Sequence, residues 1–181
     1  RRRRSNGRPR NSLEGSMEIV RGDVRDIRKF FEPESFDAAV LNPPYRRAGS
    51  GRVSAHPEKA LARHEINGSL ADFVAAAAYL VRRAGAVFAV YPATRAVELL
   101  CLLRKLDVEP KRVRIVHSDG LSAAEFILVE AVRGGGEELE IMPPLYIYYV
   151  PGGERDKAGR YTREMQDIFS ELCLRQASCG E

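Results

Sequence analysis

The stretch that decides the fold is Phe36-Asp37-Ala38-Ala39-Val40-Leu41-Asn42-Pro43-Pro44-Tyr45. Its first six residues are mostly apolar without helical spacing, which predicts a buried strand. Two prolines close it, because proline has no N–H and a fixed φ, so neither can extend a ladder. The turn offers two acceptors, the Asn42 side-chain oxygen and the Pro43 carbonyl. Such a pair suits an amino nitrogen whose lone pair is delocalised into a ring or carbonyl. Each acceptor takes one N–H and draws the nitrogen toward tetrahedral geometry as charge develops. Tyr45 adds a flat face for a ring to stack on. The plainer reading is a proline turn with Tyr45 as packing, and these residues alone do not separate the two.

Outward from this stretch, helix and strand signals alternate, which is the pattern of an α/β fold. Residues 17–20 read as a strand and 23–31 as a short helix or turn. Residues 46–67 form a polar, glycine-containing loop. Ser69 and Asp72 make a capping-box start, followed by Leu70, Phe73, Val74, Ala77, Leu80 and Val81 at helical spacing. Gly85 is expected to end that helix, and 86–91 to form the next strand. Residues 94–106 repeat the helical pattern. Residues 112–117 and 125–132 read as two strands close enough to pair antiparallel. Residues 139–150 are β-rich but broken by Pro143-Pro144. A glycine-rich charged loop (151–160) precedes a closing amphipathic helix over 161–174. There are no internal repeats.

The length of 181 residues suits one domain. Six of the 29 basic residues lie in the first ten, which carry no acid, leaving 23 basic against 25 acidic residues, a net of −2. The basic character therefore belongs to the start of the chain. That arginine run is either an RNA-gripping arm or a disordered or aberrant tail, and we assign residues 1–12 to such a tail. No run of about 18 apolar residues exists, so no transmembrane helix is expected. The start has charge without an apolar segment, unlike a secretory signal. Cys101, Cys173 and Cys179 lack paired ligand spacing and read as reduced thiols of a cytoplasmic protein.

The ordered set Glu18-Ile19-Val20-Arg21-Gly22-Asp23-Val24, Phe36-Asp37 leading into Asn42-Pro43-Pro44-Tyr45, Ala62-Arg63-His64-Glu65, Tyr91-Pro92, Pro143-Pro144-Leu145 and Tyr161-Thr162 resembles class I S-adenosylmethionine-dependent methyltransferases. Within them it is most similar to the bacterial adenine-N6 methyltransferases of a valine tRNA. The likeness runs from about residue 13 to about residue 172, and residues 13–181 are taken as the methyltransferase domain. It implies a Rossmann-like sheet in the order 3-2-1-4-5-7-6. The family's first strand, glycine-rich cofactor loop and second strand would all precede Leu13, and no counterpart is legible in residues 1–12. Gly49-Ser50-Gly51 and Gly134-Gly135-Gly136 are plain loops, since neither opens a helix. The chain thus reads as the C-terminal two-thirds of the fold, lacking its first strands. On that reading residues 17–20 have no neighbour, the Phe36 strand shows an open edge, and the chain is poorly stable alone.

The resemblance implies S-adenosylmethionine as cofactor, with Asp23, Val24 and Asn42 as its contacts. Asp23 is equally well a helix N-cap. Asp26 and Asp37 are read as solvated or capping. Asn42, Pro43, Pro44 and Tyr45 form the catalytic motif. Arg46, Arg47, Arg52 and Arg63 (with Lys59 nearby) are candidates for gripping RNA phosphates beside it, or for a solvated loop. His56 and His64 lack partners at metal spacing, so no metal is expected. Neither is needed as a base, because a methylated ammonium is acidic. Tyr146, Tyr148 and Tyr149 are a β-rich aromatic patch, read as packing. The expected function is methyl transfer to adenine N6 in RNA, tRNA first, with no membrane partner. The alternatives are a glutamine-N5 or guanine-N2 methyltransferase, or a truncated, non-catalytic fragment that only binds RNA.

Overall fold

Five strands form one mixed sheet in the order β1-β2-β4-β3-β5: β1 (Phe36–Leu41), β2 (Val81–Pro92), β3 (Val108–His117), β4 (Ala124–Arg133) and β5 (Glu140–Tyr146). This computed structural model describes residues 17–45, 68–150 and 161–177, with side chains through 172. Helix α1 (Leu70–Leu80) links β1 to β2, α2 (Ala96–Lys105) links β2 to β3, and α3 (Arg163–Ala177) follows β5. β1 and β2 pair parallel, whereas β4 runs antiparallel to both β2 and β3. That is the 4-5-7-6 half of the order expected from the resemblance, with β5 added parallel to β3.

Helix α1 starts where the sequence places it. The Asp72 amide donates to Ser69 Oγ at 3.3 Å and the Ser69 amide donates to Asp72 Oδ2 at 2.7 Å, a reciprocal cap. It ends at Leu80, before Gly85, because Val81 is already extended at φ −82 and ψ 130. Gly85 instead lies within β2, and its lack of a side chain lets the β1 backbone approach. A Cβ there would stand 2.6 Å from the Asp37 carbonyl oxygen.

The core lies between the sheet and the helices. Val74, Val81, Tyr91, Leu99, Leu103, Val108 and Ala131 are fully buried. Leu99 and Leu103 are four apart, on one face of α2. Burying each such side chain contributes about 1.5–3 kcal/mol. The antiparallel pairing of the two late strands is as expected, with Val113 opposite Val129 and Ile115 opposite Ile127.

Besides Gly85, three expectations are corrected. Residues 17–20 form no strand, and Ile19 is 83% exposed. A strand needs a ladder partner, and none lies beside them among the described residues. β1 is a strand but not a buried one: only Leu41 is buried, and Val40 is 82% exposed. It is an edge of the described sheet, and its outer face is uncovered. Pro143-Pro144 does not break β5, which runs through both prolines with a register irregularity opposite Arg114 and Val116. An edge strand tolerates missing amides.

Candidate acceptor and cofactor sites

Because Phe36 pairs with Val81 and Leu41 with Ala89, α1 carries the chain back from the C-terminal end of β1 to its N-terminal end. The start of α1 and the residues after Leu41 therefore share one end of the sheet, where ligands bind in open α/β sheets.

At that end Asn42 is exposed, Pro43 fully buried and Pro44 half-buried. Burial of Pro43 anchors the turn while the Asn42 amide faces outward. The Tyr45 hydroxyl donates to Asn42 Oδ1 at 2.8 Å. The Tyr45 ring, 40% exposed, meets Tyr91 edge-on at 6.1 Å and Phe126 at 5.7 Å. One side of the ring is thus held by β2 and β4.

Sequence reading did not find Arg95. It follows β2 in the short 3-10 turn Ala93–Arg95, and its Nη1 donates to the Tyr45 carbonyl at 2.8 Å. Its Nε and Nη2 donate to Glu98 at 2.8 and 2.7 Å, and its guanidinium lies 5.0 Å from the Tyr91 ring centre. The sequence signal was the Arg95–Glu98 spacing at the start of a helix. Its target, fifty residues earlier in the chain, carries no local signal. Phe126 went unread for the same reason.

Asp23 caps a 3-10 helix, Val24–Lys29, by accepting from the Arg25 amide at 2.9 Å. The Arg25 guanidinium also grips both carboxylate oxygens. These bonds, with the side-chain bond largest, hold the Asp23 carboxyl down at about 2. Val24 reaches the start of α1: a Cβ on Gly68, whose φ is +65, would meet a Val24 methyl at 2.7 Å. Asp23 and Val24 line a pocket of about 260 Å³ with Val20, Gly22, Ile27, Phe30, Phe31 and Phe73. Apolar walls and one carboxylate fit a flat heteroaromatic ring with an amino group. Arg25 already makes four contacts to the two carboxylate oxygens, two on each, so a ligand amino group would have to displace one of them. Asn42 does not line this pocket.

Arg46, Arg47, Arg52, Arg63, Lys59, His56 and His64 lie outside the described residues, as do residues 1–16 and 151–160. Asp37 is paired with Arg82 at 2.6 Å, and Asp26 with Lys29 at 2.9 Å. Tyr148 stacks on Tyr161 at 5.3 Å, Tyr146 packs on His117 at 5.4 Å, and Tyr149 Oη accepts from the Arg163 amide. Tyr148 and Tyr149 thus tie the chain after β5 to the start of α3, while Tyr146 packs β5 on the end of β3. Among the described residues there is no cluster of potential metal ligands, and no helix is long and apolar enough to cross a membrane.

No protein-family model matches the chain. Among curated proteins it is 27% identical over 152 residues to the tRNA1(Val) (adenine(37)-N6)-methyltransferase of Aeromonas salmonicida, covering 74% of this chain and 62% of that protein. The chain thus spans less than two thirds of this relative. Among solved structures, one from Agrobacterium tumefaciens described as a "predicted O-methyltransferase" superposes with a TM-score of 0.58 at 16% identity, over 83% of this chain and 58% of that one. The fold is the Rossmann-like methyltransferase fold. The resemblance read from the sequence is borne out at that level, in the strand order and in the relative it finds.

Proposed function

We propose that this chain is an S-adenosylmethionine-dependent methyltransferase domain acting on adenine N6 in RNA, tRNA first. The observation that carries the reading is Asn42-Pro43-Pro44-Tyr45 at the C-terminal end of β1. There Asn42 is open to solvent, Pro43 is anchored, and the Tyr45 ring is braced on Tyr91 and Phe126. The similarity to a tRNA adenine-N6 methyltransferase supports the choice of substrate.

Asn42 Oδ1 and the Pro43 carbonyl would each accept one N–H of the exocyclic amine, orienting its lone pair. Tyr45 would stack on the base, which must first leave its helix or loop. The pocket beside Asp23 and Val24 would hold the adenine of the cofactor, its amino group donating to the Asp23 carboxylate. S-adenosylmethionine, when bound, supplies an activated methyl. With no general base called for, positioning is the main contribution of the protein. Arg46, Arg47, Arg52 and Arg63 would hold the RNA backbone while the target base is flipped out.

The test is nucleoside analysis of tRNA after incubation with the cofactor and either the wild-type chain or Asn42→Ala. N6-methyladenosine formed by the wild type and lost in the variant, with S-adenosylhomocysteine affinity unchanged, is the expected result. Methylation of a glutamine amide or guanine N2 instead would redirect the substrate. Unchanged turnover by Asn42→Ala would sink the site.

A further inference from the structure

We propose that Arg95 is a positioning residue for this transfer, holding the acceptor motif in register from the turn after β2. The proposal rests on reading residues 42–45 as the acceptor site, and it adds a residue from a different strand to that site. The guanidinium is committed in three directions at once. Nη1 holds the Tyr45 carbonyl at 2.8 Å, Nε and Nη2 hold both Glu98 oxygens, and its face lies over the Tyr91 ring. Tyr91 is fully buried and in turn meets the Tyr45 ring. Arg95 therefore fixes Tyr45 twice, through its backbone directly and through its ring by way of Tyr91.

The chemistry explains why arginine is needed. A planar fork with five N–H donors satisfies a carboxylate and a carbonyl in fixed directions, whereas a lysine ammonium is a point charge without that geometry. The Arg95 side chain is only 18% exposed, so most of the guanidinium is held against the protein, with the Tyr45 carbonyl at its solvent-facing end. Glu98 sits in the first turn of α2, whose Leu99 and Leu103 are fully buried. The clamp is thereby referred to the core. The turn after Leu41 has no regular secondary structure of its own beyond β1. Without Arg95, Tyr45 would keep, among the described residues, its ring contacts with Tyr91 and Phe126 and its hydroxyl bond to Asn42, but its carbonyl would lose the Nη1 donor. Asn42 Oδ1 and Tyr45, which would hold the amine and the base, are three residues apart in that turn. A loosened Tyr45 therefore displaces both acceptor and stacking surface.

The experiment compares the full chain with Arg95→Ala, Arg95→Lys, Glu98→Gln and Asn42→Ala, using two readouts. The first is the ¹⁹F spectrum of fluorotyrosine placed at position 45, which needs no turnover. The second is the split between kcat and KM for tRNA methylation. Arg95→Ala should broaden or divide the single Tyr45 resonance and lower kcat by about 10- to 100-fold, the range expected for a misplaced reacting group. KM for S-adenosylmethionine should stay within about threefold, because the cofactor pocket is built from other elements. Added guanidinium ion should restore part of kcat in Arg95→Ala, and Arg95→Lys should not recover it fully. Glu98→Gln, which keeps the bond to Tyr45 but weakens the fork, should fall between. A single narrow wild-type resonance in Arg95→Ala overturns the proposal. So does a kcat within about twofold of wild type while Asn42→Ala is inactive, and that result leaves the acceptor site standing. Full turnover by Asn42→Ala overturns both.

Discussion

The hydroxyl of Tyr45 donates a 2.8 Å hydrogen bond to the side-chain oxygen of Asn42. The acceptor proposed for the substrate amine is therefore already engaged by the residue proposed to stack the base. An incoming amino group must displace that hydroxyl. Tyr45→Phe keeps the ring and removes the competitor, whose net worth is about 0.5–1.5 kcal/mol. KM for the nucleic acid should fall by about two- to tenfold in this variant. Tyr45→Ala loses the stacking surface as well, so its KM should rise. Steady-state kinetics on tRNA distinguish the two, and a raised KM in Tyr45→Phe would show that the hydroxyl assists binding.

Gly85 is where β1 is drawn against β2. An added Cβ would stand 2.6 Å from both the Asp37 carbonyl oxygen and a Val81 methyl. Gly85→Ala should destabilise the fold by about 1–3 kcal/mol, as overpacking does. Because the strain falls on the strand that carries Asn42, turnover should drop at temperatures where the variant is still folded. Denaturant melts and activity, measured on one sample, check both effects.

The cap of α1 is separable from the site. Ser69→Ala removes the oxygen that accepts from the Asp72 amide and should cost about 1 kcal/mol. The same change removes the smaller of the two bonds that hold the Asp72 carboxyl below its ordinary value, the Ser69 amide being first and the Ser69 hydroxyl second. The Asp72 titration midpoint, followed by carboxyl NMR, should therefore rise in Ser69→Ala. A midpoint that stays put would mean that the Ser69 amide bond is sufficient.

Asp23 sets a pH dependence at the pocket proposed for the cofactor. Its carboxyl titrates at about 2 instead of 3.8, chiefly through the Arg25 side chain and then the Arg25 amide. A depressed pKa means that the contact stabilises the fold fully above the unfolded value, and that this is lost as pH falls through the folded value. The window is thus between about pH 4 and pH 2, outside which Asp23 contributes no slope. Carboxyl NMR should place the Asp23 midpoint in that window, and Arg25→Ala should move it upward.

Val40 is 82% exposed on β1, whose outer edge has no partner among the described residues. An apolar edge of this kind favours self-association. Val40→Lys should lower concentration-dependent association in sedimentation experiments without lowering the melting temperature. Equal association in both proteins would place the contact elsewhere.

The sequence by itself determined the α/β class, the capping box at Ser69, the antiparallel pairing of the two late strands, and the motif at residues 42–45. Each of these is written in local chemistry: a missing proline N–H, a serine three residues before an aspartate, an apolar periodicity. Tertiary structure decided the rest. Gly85 looks like a helix stop in the sequence and proves to be a point of close approach, because Val81 is already extended and Asp37 crowds it. Residues 17–20 have the composition of a strand, yet a strand exists only where a neighbour completes its hydrogen bonds. Asp23 was equally a cap or a ligand by sequence, and folding sets Arg25 on it. Arg95 was invisible because its partner, the Tyr45 carbonyl, belongs to a strand end fifty residues away. Only the parallel pairing of β1 with β2 brings the two together.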